Sequence, residues 1–218
     1  MVSVATTTSG LDLSALPIRT RPALRFTQLF GGLVLYGASM GLLVRAQLGL
    51  MPWDVLHEGL AERLGWTFGS VTVLTGVLVL LAWLPLRQRP GLGTVANILV
   101  IGVSVDATLA LVPPLAPLAA QVPVMLGAVV LNAVATAVYV GARFGPGPRD
   151  GLMTGLHART GHSVRAVRTT LEVAVVATGA LLGGTIGVAT VIFALGIGPL
   201  TQLFLRFAVV REKKDLCP

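Results

Sequence analysis

Long apolar runs separated by short polar connections dominate the chain. Six of them offer the roughly 20 helical residues needed to cross a bilayer core of about 30 Å. They cover residues 26–44, 67–86, 92–112, 122–142, 163–182 and 188–210. Glycines recur within these runs, among them Gly31, Gly32, Gly37, Gly41, Gly76, Gly102, Gly127, Gly196 and Gly198. Small residues let membrane helices approach closely, because lipid gives apolar side chains no drive to leave it.

The polar connections carry a repeat. Gly49, Pro52, Asp54, Leu56, Gly59, Leu60, Arg63 and Gly65 recur 96 residues later as Gly145, Pro148, Asp150, Leu152, Gly155, Leu156, Arg159 and Gly161. That is eight identities in seventeen ungapped positions. Weaker matches at the same offset link the first to the fourth run and the third to the sixth. Each copy holds three apolar runs, an odd number, so the second copy must enter the membrane from the opposite side. Inverted repeats of this kind build many secondary transporters. Within the motif, Pro suits a first helical turn and Asp the positive end of a helix. Gly65 and Gly161 suit left-handed C-terminal caps. Between Pro and Gly lie too few residues to span a bilayer, which predicts a short helix in each copy, re-entrant or interfacial.

Charge assigns sides. Of sixteen Lys and Arg residues, fourteen fall in the N-terminal segment, the connections after the second and fourth runs, and the C-terminal end, leaving Arg45 and Arg63 for the other side. With six spans the positive-inside bias places both termini in the cytoplasm. A net charge of +7 in such positions marks topology and makes no nucleic-acid surface. Only 11% of the 218 residues are charged, 54% are hydrophobic and mean hydropathy is +0.84, which excludes a water-soluble globule. The lone Cys217 excludes a disulfide framework. Trp53, Trp66 and Trp83 are expected in an interfacial aromatic belt.

The candidate chemistry is sparse. Asp54 and Arg63, like Asp150 and Arg159, lie nine residues apart, so neither pair can meet along one helix. They serve either as caps and anchors or as a paired entrance to a central pathway. Asp106 and Glu172 fall within apolar runs, where an acid is costly and marks a functional site by default; for Asp106 the alternative is a snorkelling residue near the outer interface. Arg168 precedes Glu172 by one turn and can neutralise it, and Arg165 shares that face. Gln28, Tyr36, Asn97, Asn132 and Gln202 either line the same interior or join helices. His57, His157 and His162 fall in connections at spacings that build no metal site, and no hydrolase or metalloprotease motif is present. No cofactor, metal or enzymatic activity is expected.

Gly49-Leu-Met-Pro-Trp-Asp-Val-Leu56, Gly145-Pro-Gly-Pro-Arg-Asp-Gly-Leu152, and Leu182-Gly-Gly-Thr-Ile-Gly187 with Gly198-Pro199 resemble the YczE/YyaS/YitT-type bacterial membrane proteins. The resemblance covers roughly residues 26–210 and implies a bacterial inner-membrane protein with five or six spans. It supplies no substrate and no binding residues.

The expected fold is all-α: a polytopic membrane protein of six transmembrane helices in two inverted three-helix repeats with short Pro-x-Asp helices. Residues 24–115 form the first repeat and 116–210 the second. A disordered cytoplasmic segment, 1–23, precedes them and a cytoplasmic tail, 211–218, follows. The expected function is passage of a small solute across the bilayer. The alternative is an accessory protein acting through a partner, either a second copy of the chain or another membrane protein. A polar cavity between the repeats favours transport, and a solid apolar interface favours the accessory role.

Overall fold

A computed structural model describes residues 13, 15–17 and 19–210. The C-terminal tail and most of the N-terminal lead-in therefore lie outside the described residues. Among those described, the fold is helical throughout: α1 Pro22–Ala46, α2 Pro52–Leu64, α3 Phe68–Leu86, α4 Leu92–Leu111, α5 Leu118–Gly141, α6 Pro148–Thr160, α7 Val164–Leu181 and α8 Val188–Ala208. Five of these, α1, α3, α4, α5 and α8, are long and apolar enough to cross a membrane. The stretch expected as the fifth span is the helix α7. It carries Arg165, Arg168 and Glu172 and is too polar to join those five.

Backbone geometry recurs along the chain. Helices α2, α3 and α4 begin 96 residues before α6, α7 and α8. Among the described residues, nine have left-handed backbone, and eight of them pair at that same interval. The pairs are Gln47 with Arg143, Gly49 with Gly145, Gly65 with Gly161 and Arg87 with Gly183. Gly65 and Gly161 terminate α2 and α6 with φ of 67° and 73°, values that cost a glycine no Cβ clash.

Helices α1 and α5 form the centre. They pack antiparallel, with Gly32 against Tyr139 and Ser39 beside Asn132. Helix α4 runs parallel to α1: Gly37 meets Ser104 and Gly41 meets Thr108. Helix α8 ends beside the end of α5, where the Val210 N–H donates to the Gly141 carbonyl. α1 and α4 therefore run one way and α5 and α8 the other. Helices α2 and α6 pack outside this centre, α2 on α7 and α6 on α3.

The two flanking contacts exchange large and small residues. Trp83 of α3, 1% exposed, lies against Gly151 of α6. Its α7 counterpart is Gly179, which lies against Val55 and Leu56 of α2. Trp83 is thus a buried core residue and not part of an interfacial belt. Its indole N–H donates to the Pro148 carbonyl at 3.0 Å, satisfying its one polar group. Trp66 is 53% exposed at the α2–α3 turn, a position that suits a belt.

Candidate functional site

After α1 the chain turns back into the protein, so that α2 starts with Met51 and Pro52 buried. After α5 it does the same, and α6 starts at the buried Pro148. From there the two short helices run toward opposite ends of the bundle. The Arg63 Nε and Nη2 atoms donate to the Leu182 and Leu181 carbonyls at the end of α7. Arg159 Nη1 donates to the Pro85 carbonyl at the end of α3. Pro85 and Leu181 are themselves 96 residues apart. The motif arginines thus satisfy free carbonyls at helix C-termini, where positive charge is favoured.

Between the starts of α2 and α6 lies a cavity of about 1060 Å³. Tyr36, Met51, Trp53 and His57 line it from one half, and Asn132, Tyr139, Arg149 and Asp150 from the other. Thr72, Asn97, Arg168, Glu172, Ile197, Thr201 and Gln202 complete its walls. It extends to Arg87, Arg89 and Arg143. Helix α3 packs along α4, whereas its counterpart α7 packs little against α8, and α7 buries only Val167 and Gly179. The Arg168 and Glu172 pair faces this cavity, with Nε to Oε1 at 2.8 Å. Among the described residues, no three of His, Cys, Asp and Glu cluster as a metal site.

Asp54 is fully buried. Of the two roles open to it, cap or pathway residue, it does not take the cap: among the described residues its carboxylate oxygens accept no hydrogen bond. The N-cap position belongs to Met51, and Asp54 instead meets charge. His57 Nδ1 lies 3.3 Å from Asp54 Oδ1, and Arg149 Nη2 lies 4.0 Å from the same oxygen. The Thr72 hydroxyl, 3.3 Å from His57 Nδ1, already donates to the Phe68 carbonyl. Burial pushes the His57 imidazole below its ordinary range, opposed by the nearby Asp54 carboxylate. Asp150 is exposed to the chamber; the surrounding protein raises its carboxyl by desolvation, partly offset by Arg168, Arg149 and the Gly147 N–H.

Sequence reasoning placed His57 in a connection and Arg149 among topology charges; both belong to this site. His57 follows Asp54 by three residues, the spacing of one helix face. Arg149 lies over Trp53 at 4.7 Å from the ring centroid, and the two are equivalents at the 96-residue interval. Trp53 is thus a cavity residue and no belt anchor. Asp106 lies away from the cavity. It accepts from the Thr67 hydroxyl at 2.6 Å and the Gly69 N–H at 2.7 Å, holding the start of α3. Gln28 donates to the Ala208 carbonyl and joins helices, while Tyr36, Asn97, Asn132 and Gln202 line the cavity.

Residues 23–206 match a family described as of unknown function, DUF6198. A protein of Haemophilus influenzae is 39% identical over 173 residues, covering 79% of each chain. The membrane protein YczE of Bacillus subtilis is 34% identical over 188 residues, 85% of this chain and 86% of its own. YyaS of the same organism is 25% identical over 178 residues, 80% of this chain and 89% of its own. No solved structure matches. The chain, similar to YczE and YyaS, is a multi-pass integral membrane protein and belongs to the DUF6198 family.

Proposed function

We propose that this protein is a small-solute transporter of the bacterial inner membrane, built from two inverted three-span repeats with both termini in the cytoplasm. The observation that carries the reading is the cavity of about 1060 Å³ where α2 and α6 begin. Half-helices that start inside the membrane and aim their positive ends at one site are the usual construction of a transporter binding site. The 96-residue interval of helix starts and the opposed directions of α1, α4 and α5, α8 support the inverted repeat. In this reading α7 is a sixth span whose Arg168 and Glu172 face the cavity and not lipid. Asp54, Asp150, Arg168 and Glu172 belong to the pathway, whereas Arg63, Arg159 and Asp106 hold the helices around it.

Counterflow in proteoliposomes, screened over a library of small solutes, tests this. Gly198 lines the cavity and a side chain there meets open space, so Gly198→Trp should fold normally and fill the chamber. At least one solute should exchange well above the empty-liposome rate, and Gly198→Trp should abolish that exchange. Absence of exchange for every solute, or exchange unaffected by Gly198→Trp, would reject the proposal.

A further inference from the structure

Arg149 is set apart from the other charges of the cavity. Among the described residues it donates no hydrogen bond, and 27% of its side chain remains accessible. Its guanidinium lies over Trp53, and among the described residues its one ion-pair contact is Asp54 at 4.0 Å. That is charge proximity without a hydrogen bond, so the planar fork of donors is unspent. Across the cavity, the Asn132 Nδ2 donates to Ser39 Oγ at 2.8 Å, and that hydroxyl donates to the Tyr36 carbonyl. This chain fixes the orientation of the amide and leaves Asn132 Oδ1 buried without a partner. Thr201 Oγ1, also in a cavity residue, is likewise unpartnered. Buried polar atoms left unmet are costly, and a ligand group is one way to satisfy them. The remaining wall is largely apolar, with Met51, Val79, Ile98, Ile101, Phe193 and Ile197.

We infer that the cavity binds a small organic carboxylate on Arg149, and that the Asp54–His57 pair takes up one proton when it does. The inference deepens the transporter reading and takes its biological use from it, but the binding site stands on its own geometry. A guanidinium fork matches a carboxylate through two parallel hydrogen bonds, and the apolar wall takes the body of the ligand. Among the described residues Arg149 is also the only guanidinium within 4.0 Å of the Asp54 carboxylate. Once the ligand engages it, the buried Asp54 carboxylate loses its counter-charge and gains a proton from water to restore neutrality. The proton binds an oxygen of Asp54 or the imidazole of His57. Ligand and proton enter together and leave together, with no other bond made or broken.

Every charged group facing the pair enters this balance. Helix α6 presents Arg149 and Asp150, α7 presents Arg168 and Glu172, which neutralise each other, and α1 and α5 present Tyr36 and Tyr139. Helix α3 presents only the Thr72 and Thr75 hydroxyls. Asp150 faces the chamber with no counter-ion in hydrogen-bond reach and biases the site toward a ligand that brings its own proton.

The test is calorimetric binding of benzoate to purified protein. One linked proton makes the affinity fall about tenfold for each pH unit across the range in which the proton is taken up. Mixing at low buffer strength should show uptake of one proton per bound benzoate. Arg149→Lys keeps a charge beside Asp54 but removes the fork, and should weaken binding by at least about tenfold. Asp54→Asn should still bind benzoate, now without pH dependence and without proton uptake. Should Asp54→Asn fail to fold, the proton count on the wild type decides that half. No binding of benzoate, equal affinity in Arg149→Lys, or pH-independent binding by the wild type would each overturn the inference. Benzoate binding as described with no counterflow of any solute would instead sink the transporter reading and leave the site intact.

Discussion

Gly151→Val should severely destabilise the protein. A Cβ at this position would stand 2.0 Å from Trp83 Cζ2. The indole has no room to retreat, being 1% exposed and tied to the Pro148 carbonyl. Overpacking costs typically 1–3 kcal/mol, and loss of the indole hydrogen bond adds about 1–3 kcal/mol if the N–H stays buried. The start of α6 would be displaced from α3, and with it Arg149 and Asp150. Thermal unfolding followed by size-exclusion chromatography in detergent should show a large fall in midpoint or no folded peak. The opposite flank of the bundle supplies the rescue: there the equivalents of Trp83 and Gly151 are Gly179 and Val55. Trp83→Gly combined with Gly151→Val copies that arrangement and should be more stable than Gly151→Val alone.

Arg25→Met should come next. Arg25 is fully buried near the start of α1. Its Nε donates to the Ala142 carbonyl at 2.8 Å, and Nη2 to the Arg143 and Leu16 carbonyls. Nη1 reaches the carbonyls of Pro17 and Thr20, and the guanidinium lies over the Phe144 ring at 4.2 Å. One side chain thus joins the segment before α1 to the end of α5 and to the loop that leads into α6. Met keeps the length but strands several carbonyls, which should cost about 3 kcal/mol or more. Arg25→Lys should fall between, since an ammonium cannot reach donors set in a fork. Unfolding midpoints of the three proteins, measured side by side, check the order.

The sequence announces some of this and hides the rest for physical reasons. Apolar run length and the Pro and Gly punctuation marked α2 and α6, because both signals act on the local backbone. The 96-residue interval was legible for the same reason: Pro52 and Pro148, or Gly65 and Gly161, are needed wherever the chain starts or ends a short helix. Facing was not legible. In a membrane protein the interior and the lipid are both apolar, so Trp83 in the core and a tryptophan at the interface look alike along the chain. The partners of Arg63 and Arg159 are backbone carbonyls, which carry no residue signature. Asp106 read as a pathway acid because its position within an apolar run is visible, whereas the Thr67 and Gly69 donors that occupy it come from another helix. Arg149 looked like one more loop charge, and only the turn of the chain back into the bundle brings it over Trp53 and beside Asp54.

The central claim is that the chamber between the two halves opens alternately to the two sides of the membrane. Thr136 lines it from α5, and Cys217 is the only native thiol. A Thr136→Cys variant in a Cys217→Ser background can be challenged with a membrane-impermeant thiol reagent, applied to intact cells and to inside-out vesicles in turn. Labelling from both sides, with Gly198→Trp suppressing it, is the predicted result. Labelling from one side alone, whatever solute is present, would contradict the account.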